Sequence, residues 1–251
     1  MGQNINVFLP MRLGSERIPQ KNTKNFSGID GGLCKIKINQ LIRCQSIEKV
    51  YVSTNDPDVV SISNSFNSKK IKVIIRPDEL ASSLTSTDEL IKYVPEVMPE
   101  GYILWTHVTS PFINSDTYYK IIDTYQKNLN KFDSLMTVSK IKKFIWNDYE
   151  PLNYDRNLEK WPRTQTLKPF WEVNSGAFLA SKDIYKDRHD RIGNTPYLYQ
   201  LNDEIAFDID WLEDFKIAEA LYYSKYCIPK SANEKYSETS GIHSQQNANI
   251  S

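Results

Sequence analysis

The chain has 251 residues, and 31 Lys and Arg balance 31 Asp and Glu, so the formal net charge is zero. That balance excludes a general nucleic-acid coat and a polybasic membrane binder, since both need an excess of one sign. Hydrophobic residues at 40% and aromatics at 12% suffice for a packed core, and no apolar run approaches the roughly eighteen residues of a membrane-spanning helix.

Strands and helices take turns from the start. Residues 5–9 form an apolar run suited to a buried central strand, followed by a polar loop, PMRLGSERIPQKN. Ile38, Leu41 and Ile42 share one helical face. Val50 and Val52 in KVYVST alternate as a strand punctuated by NDPD, and IKVIIRP reads as another. Ser86 with Glu89 three residues on fits a capping box ahead of Leu90, Ile91, Val94 and Val97. YILWT is the next strand, then a helix through Ile121, Ile122 and Tyr125 that Ser115 is placed to cap, then the strand SLMTV.

This rhythm implies an α/β fold: a mostly parallel sheet with helices on both faces. It breaks after Val138. Residues from about 140 to 170 are rich in Lys, Asn, Pro and aromatics without clean periodicity, and read as an inserted excursion able to close over a ligand or partner subunit. FWEVNSGAFLA and EIAFDID read as two more strands, and a last helix runs from Trp211 with Leu212, Phe215, Ala218 and Tyr222 on one side. One domain over residues 1–228 is expected, with a polar, disordered tail over 229–251.

Cys34, Cys44 and Cys227 are scattered without a CxxC spacing, which argues against a zinc site or a disulfide framework; Cys34 and Cys44 read as buried thiols. The short apolar run over residues 7–10, with no basic residue before it, does not make a secretory signal. Asn6 breaks the myristoylation pattern, so a reducing cytoplasm is the expectation.

The first loop carries the most chemistry. Arg12, Gly14, Ser15, Arg17, Lys21 and Asn22 stand directly after the first strand, and ligands of open parallel sheets bind outside such strand ends. Gly14 allows close approach of backbone N–H groups to an anion, and the bases supply charge-assisted bonds to phosphate oxygens. Neither a P-loop nor a dinucleotide GxGxxG is present. On charge alone a solvated basic loop remains equally open. Asp208 and Asp210, two apart on an expected strand, would point to one side roughly 7 Å apart and could share a hard cation. Capping of the helix near Trp211 is the other use of such acids. A basic loop and an acid pair together suit nucleotidyl transfer, where cations meet the pyrophosphate and a metal stabilises developing charge.

In that order, FLPMRLGSERIPQKN resembles the IPARxGSKRxPxKN signature of the CMP-acylneuraminate synthetase (acylneuraminate cytidylyltransferase) family. VSTND is similar to its VSTDD, RPDELA to its RPxxLA, THVTSPF to its LQPTSPL, VNSGAFLA to its xNGAIYI, and FDIDWLEDFKIAEAL to its IDIDxxxDxxxAE. The resemblance runs over roughly residues 4–223. It implies a Rossmann-like, GT-A-like three-layer nucleotidyltransferase core that activates a nonulosonic or related 2-keto-3-deoxy sugar acid with CTP and releases pyrophosphate. It also implies Mg²⁺, or Mn²⁺, as cofactor.

Carried over by position, Arg12, Ser15 and Lys21 would contact the triphosphate, Asn22 the ribose or base, and Arg76 and Thr87 the cytidine. Asp208 and Asp210 would hold the metal, and Arg12, Lys21 and Asp210 would form the catalytic group. His107, Arg163, Asn174 and Phe178 would lie on the sugar side, with the guanidinium of Arg163 suited to a carboxylate. The implied partners are CTP, the sugar acid and a second copy of the chain docked through the excursion, with neither nucleic acid nor membrane.

The sequence departs from the signature in places. Glu16 replaces its Lys, GIDGGLCKIKI replaces Gly-Lys-Pro-Leu, His107-Val108 replaces Gln-Pro, Ile113 replaces an Arg and Ser83 an Asp. These changes leave the acceptor open. Two other readings stand beside this one. A DxD-type nucleotide-sugar glycosyltransferase is opposed by the basic first loop. A non-catalytic nucleotide-binding module is suggested by Glu16 and the HVTSP loop but opposed by Asp208 and Asp210.

Overall fold

The computed structural model describes residues 4–228, so the stretch read as a disordered tail lies outside the described residues. The chain opens with β1 (Ile5–Pro10), buried along nearly its whole length. α1 (Gly32–Arg43), β2 (Lys49–Thr54), α2 (Pro57–Ser65) and β3 (Ile71–Ile75) follow, then α3 (Thr87–Val97), β4 (Tyr102–Trp105) and α4 (Ser115–Lys127). β5 (Ser134–Ile141), β6 (Phe170–Ser181), α5 (Lys182–Arg188), β7 (Pro196–Leu201) and α6 (Leu212–Tyr222) complete the fold.

Among the described residues seven strands form one sheet in the order β3-β2-β1-β4-β6-β5-β7, and of these β6 alone runs antiparallel to its neighbours β4 and β5. Two apolar layers flank it. Leu33, Ile38 and Leu41 of α1, Ile121 and Ile122 of α4, and Phe215 of α6 pack on one face. Ile91 and Val94 of α3, Tyr185 of α5 and the sheet residues Phe8, Trp105 and Phe178 pack on the other. Full burial of a side chain such as Phe8 stabilises the fold by about 1.5–3 kcal/mol. The result is the mostly parallel, Rossmann-like three-layer α/β fold.

Local chemistry starts the helices. Ser86 Oγ accepts from Glu89 N at 3.1 Å and Glu89 Oε2 accepts from Ser86 N at 2.7 Å, the reciprocal box read from the sequence. Asp56 caps α2, whose first residue is Pro57. α4 corrects an expectation: Asn114, not Ser115, is the cap, its Oδ1 accepting from Thr117 N at 2.9 Å from an extended backbone.

α2, α5 and β7 go beyond the sequence expectation, and one expected strand is absent. Residues 204–210, EIAFDID, form turns and irregular coil rather than a strand. β7 already occupies the edge beside β5, and the alternating apolar residues face the loop after β4 instead of a ladder. Phe207 stacks edge-on to Phe112, and Ile209 N donates to Thr109 O at 2.9 Å.

Candidate active site

β1 pairs with β2 on one side and β4 on the other, so the connections leaving β1 and β4 diverge to opposite halves of the sheet. The crevice outside the carboxyl ends of such strands is where open α/β sheets bind ligands. The first loop is pinned there. Asn22 Nδ2 donates to Arg12 O at 3.1 Å, Leu13 N donates to Asn55 Oδ1 at 2.9 Å, and Ile18 is fully buried beneath the first loop. Gly14 has φ +78, a left-handed conformation that side chains disfavour, and its carbonyl accepts from Arg12 Nη1 at 2.9 Å.

Two cavities adjoin at this crevice. The smaller, about 420 Å³, is lined by Arg12, Ser15, Glu16, Arg17, Lys21 and Asn22 from the first loop, by Ser83, and by His107–Thr109 after β4. The larger, about 850 Å³, is lined by Ser139–Lys143 from β5 onward, by Glu172–Ser175 of β6, and by Asp203, Ala206, Asp208 and Asp210. Their common border is a short strip of charge. Arg17 Nη1 stands 3.0 Å from Asp210 Oδ1, and Lys21 Nζ donates to the Ile209 carbonyl at 3.0 Å. Burial lowers the Lys21 pKa, and the carboxylates of Asp210 and Asp208 act against that fall.

The acid pair is therefore held by loop contacts rather than by strand pleating. Ile209 is fully buried and turns its two flanking carboxylates outward, while Ser110 Oγ donates to Asp208 Oδ1 at 3.4 Å. Neither acid caps α6; Asp214 does so, its Oδ2 accepting from Asp210 N at 3.1 Å and Trp211 N at 2.7 Å. Among the described residues no cluster of three or more His, Cys, Asp or Glu could hold a metal. Two hard carboxylates on one cavity wall nevertheless fit Mg²⁺, which takes one or two carboxylates and completes its shell with water and phosphate oxygens.

β6 lines the same cavity through an irregularity. Its register against β5 shifts between Met136 and Val138, leaving residues 174–177 bulged around Thr137. Thr137 Oγ1 donates to Asn174 Oδ1 at 2.6 Å and accepts from Ala177 N at 2.8 Å, so Asn174 is locked facing the larger cavity.

Arg12, Ser15, Lys21 and Asn22 are thus brought together, and Asn174 shares the second cavity with Asp208 and Asp210. The other expected site residues are placed differently. His107 lines the first-loop cavity rather than the one holding Asn174. Phe178 corrects its expectation: it is 2% exposed, packed in the core beneath the Arg191 guanidinium at 3.6 Å, because the bulge at residues 174–177 interrupts the strand alternation that would otherwise put it on the same side as Asn174. Arg163 is exposed at the start of a 3₁₀ turn, Thr164–Thr166, outside the lining of both. Arg76 is buried and gives Nη2 to the Ser53 carbonyl at 2.7 Å, its pKa lowered by that burial to about 10. Thr87 is the exposed first residue of α3 and reaches neither cavity.

Sequence reasoning passed over Lys37 and the trio Lys140, Lys142 and Lys143. The trio lines the larger cavity, and its signal was the SKIKK cluster closing β5. Lys37 sits on the same helical stripe as Leu33, Cys34 and Leu41, a charge on an apolar face.

Residues 7–231 match the model of the cytidylyltransferase family. The chain belongs to the cytidylyltransferase family. It is 27% identical to N-acylneuraminate cytidylyltransferase of Escherichia coli O18:K1:H7, over 90% of this chain and 54% of that protein. It is 22% identical to pseudaminic acid cytidylyltransferase of Campylobacter jejuni, over 86% of this chain and 94% of that protein. The chain thus spans about half the length of the N-acylneuraminate cytidylyltransferases it matches. In fold, the chain is similar to the solved structure of CMP:2-keto-3-deoxy-manno-octonic acid synthetase complexed with CTP. That likeness has a TM-score of 0.64 at 14% identity and covers 88% of this chain and 99% of that one.

Proposed function

We propose that this chain transfers the cytidylyl group of CTP to a nonulosonic or related 2-keto-3-deoxy sugar acid, giving a CMP-sugar and pyrophosphate. The supporting observation is the acid pair Asp208 and Asp210 on the border between a basic first-loop cavity and a second cavity large enough for a sugar. The anomeric hydroxyl of the acceptor, giving up its proton to solvent, forms the new bond to the α-phosphorus as the bond to the pyrophosphate oxygen breaks. Arg12 and Lys21 neutralise the departing pyrophosphate, and Ser15 and Asn22 orient the nucleotide. Asp208 and Asp210 would hold Mg²⁺, or Mn²⁺, which when bound supplies positive charge to the phosphate oxygens. Lys140 and Lys142 favour an anionic acceptor in the larger cavity, and Asn174 offers it a fixed amide.

The excursion after β5 exposes Trp146, Tyr149, Leu158 and Trp161, apolar surface of the kind a second copy would cover, and the proposal includes a homodimer through it. The cytoplasm is the proposed location: Cys34, Cys44 and Cys227 are free thiols. Among the described residues no helix is long and apolar enough to cross a membrane.

Incubation with CTP, Mg²⁺ and a panel of such acids, with pyrophosphate measured, tests the reading. Release dependent on one acid is expected. Transfer from UDP- or GDP-sugars without CTP use would favour the glycosyltransferase reading. Tight CTP binding without turnover on any acid would favour a non-catalytic module.

A further inference from the structure

Lys37 has no solvent exposure. A buried ammonium is unfavourable unless its donors are matched, and all three of its donors find acceptors. Nζ donates to the Ser110 carbonyl at 2.7 Å, the Ile113 carbonyl at 3.2 Å and the Tyr118 hydroxyl at 2.8 Å. Two of these lie in the loop between β4 and α4, and the third begins a directional chain. Thr106 Oγ1 donates to the Gly176 carbonyl at 2.7 Å and has no second proton, so the Tyr118 hydroxyl, 2.7 Å away, donates to Thr106. One branch from Lys37 therefore ends at the bulge that carries Asn174. The other ends at Ser110, whose hydroxyl meets Asp208, beside the Thr109 carbonyl that holds Ile209. Burial drives the Lys37 pKa well down, and Asp208 is the charge that opposes the fall.

We propose that Lys37 is a positioning residue whose two branches hold the acid pair and the Asn174 bulge in the lining of one cavity. The proposal rests on the reading above, that this cavity takes the acceptor and that the acids hold the cation. Gln40 Nε2 ties the same loop to α1 through the Pro111 carbonyl at 2.6 Å, so the loop keeps one anchor when Lys37 is changed.

The test compares wild type with Lys37→Met in the full chain. Mn²⁺ binding in the presence of CTP is read from the free-ion electron paramagnetic resonance signal. Exchange of the Ile209 amide is followed by NMR, and the half-saturating Mg²⁺ is taken from steady-state kinetics. Lys37→Met should weaken the cation roughly ten- to a hundredfold, as loss of an outer-shell hold does, with kcat largely restored at high Mg²⁺. The Ile209 amide should exchange at least about tenfold faster while amides of β1 and β2 keep their rates. An unchanged half-saturating Mg²⁺, or faster exchange everywhere alike, would overturn the proposal.

Tyr118→Phe keeps the ammonium on the loop and cuts only the branch to Gly176, so it decides the matter if Lys37→Met does not fold. The acceptor KM should rise and cation affinity should hold; the reverse, or no change in either, would overturn the branching. If the wild type binds no Mn²⁺ with CTP, the functional reading fails, and the Ile209 amide still decides whether Lys37 holds the acid segment.

Discussion

His107 Nε2 accepts a hydrogen bond from Trp105 Nε1 at 2.8 Å, so the ring proton stays on Nδ1 and the imidazole is neutral. Burial, reinforced by the positive charges of Arg191, Lys21, Lys37 and Arg76, pushes its pKa down to about 3. In the unfolded chain the same ring titrates near 6.5. Between those values the unfolded state binds a proton that the folded state refuses. Stability present at neutral pH is therefore lost as pH falls below 6.5, by about 1.4 kcal/mol per pH step and about 2 kcal/mol by pH 5. His107→Gln keeps an oxygen to accept from the Trp105 indole and cannot titrate. Urea unfolding of both proteins at pH 7.5, 6 and 5 should show the wild type losing about 2 kcal/mol more than the variant over that range. Parallel losses would refute a neutral His107, as would an NMR titration of the folded ring near its ordinary value.

Three further outcomes follow from the site and its scaffold. Lys21→Ala removes the cation between the two cavities and should lower kcat about 10²–10³-fold, the range for losing one preorganised donor. Its unfolding free energy should fall by no more than about 3 kcal/mol, the upper range for a charged hydrogen bond, as urea titration can check. Ser86→Ala breaks the capping box of α3 and should cost about 1 kcal/mol in the same assay. Gly32→Ala places a Cβ 1.9 Å from the Lys24 carbonyl oxygen at φ +47, so it should lower stability by at least about 2 kcal/mol and depress the Tm.

What was legible in the sequence was local. The apolar strand over residues 5–9 and the basic loop behind it are contiguous, and Ser86 with Glu89 signals its helix within four residues. The rest depends on partners distant in the chain. The alternation of Ile205, Phe207 and Ile209 reads as a strand, yet Phe112 and the Thr109 carbonyl claim those residues for a loop. Phe178 and Asn174 stand in one strand-like stretch, and only the bulge against Thr137 decides which of them reaches the cavity. Lys37 breaks the apolar stripe of α1, but its meaning rests on carbonyls more than seventy positions away. The acid pair was legible as a pair. Its support was not, because the pleated strand expected to present it does not form.

The proposed reaction is defined by which bond of CTP breaks and what receives the phosphorus. The most direct measurement follows CTP labelled with ³²P at the α or the γ position, with Mg²⁺ and a 2-keto-3-deoxy sugar acid, in wild type and Asp210→Ala. The α label should appear in a CMP-sugar and the γ label in pyrophosphate, both only when the acid is present and both nearly abolished by Asp210→Ala. Release of CMP without acid, no transfer to any acid, or full transfer by the Asp210 variant would contradict it.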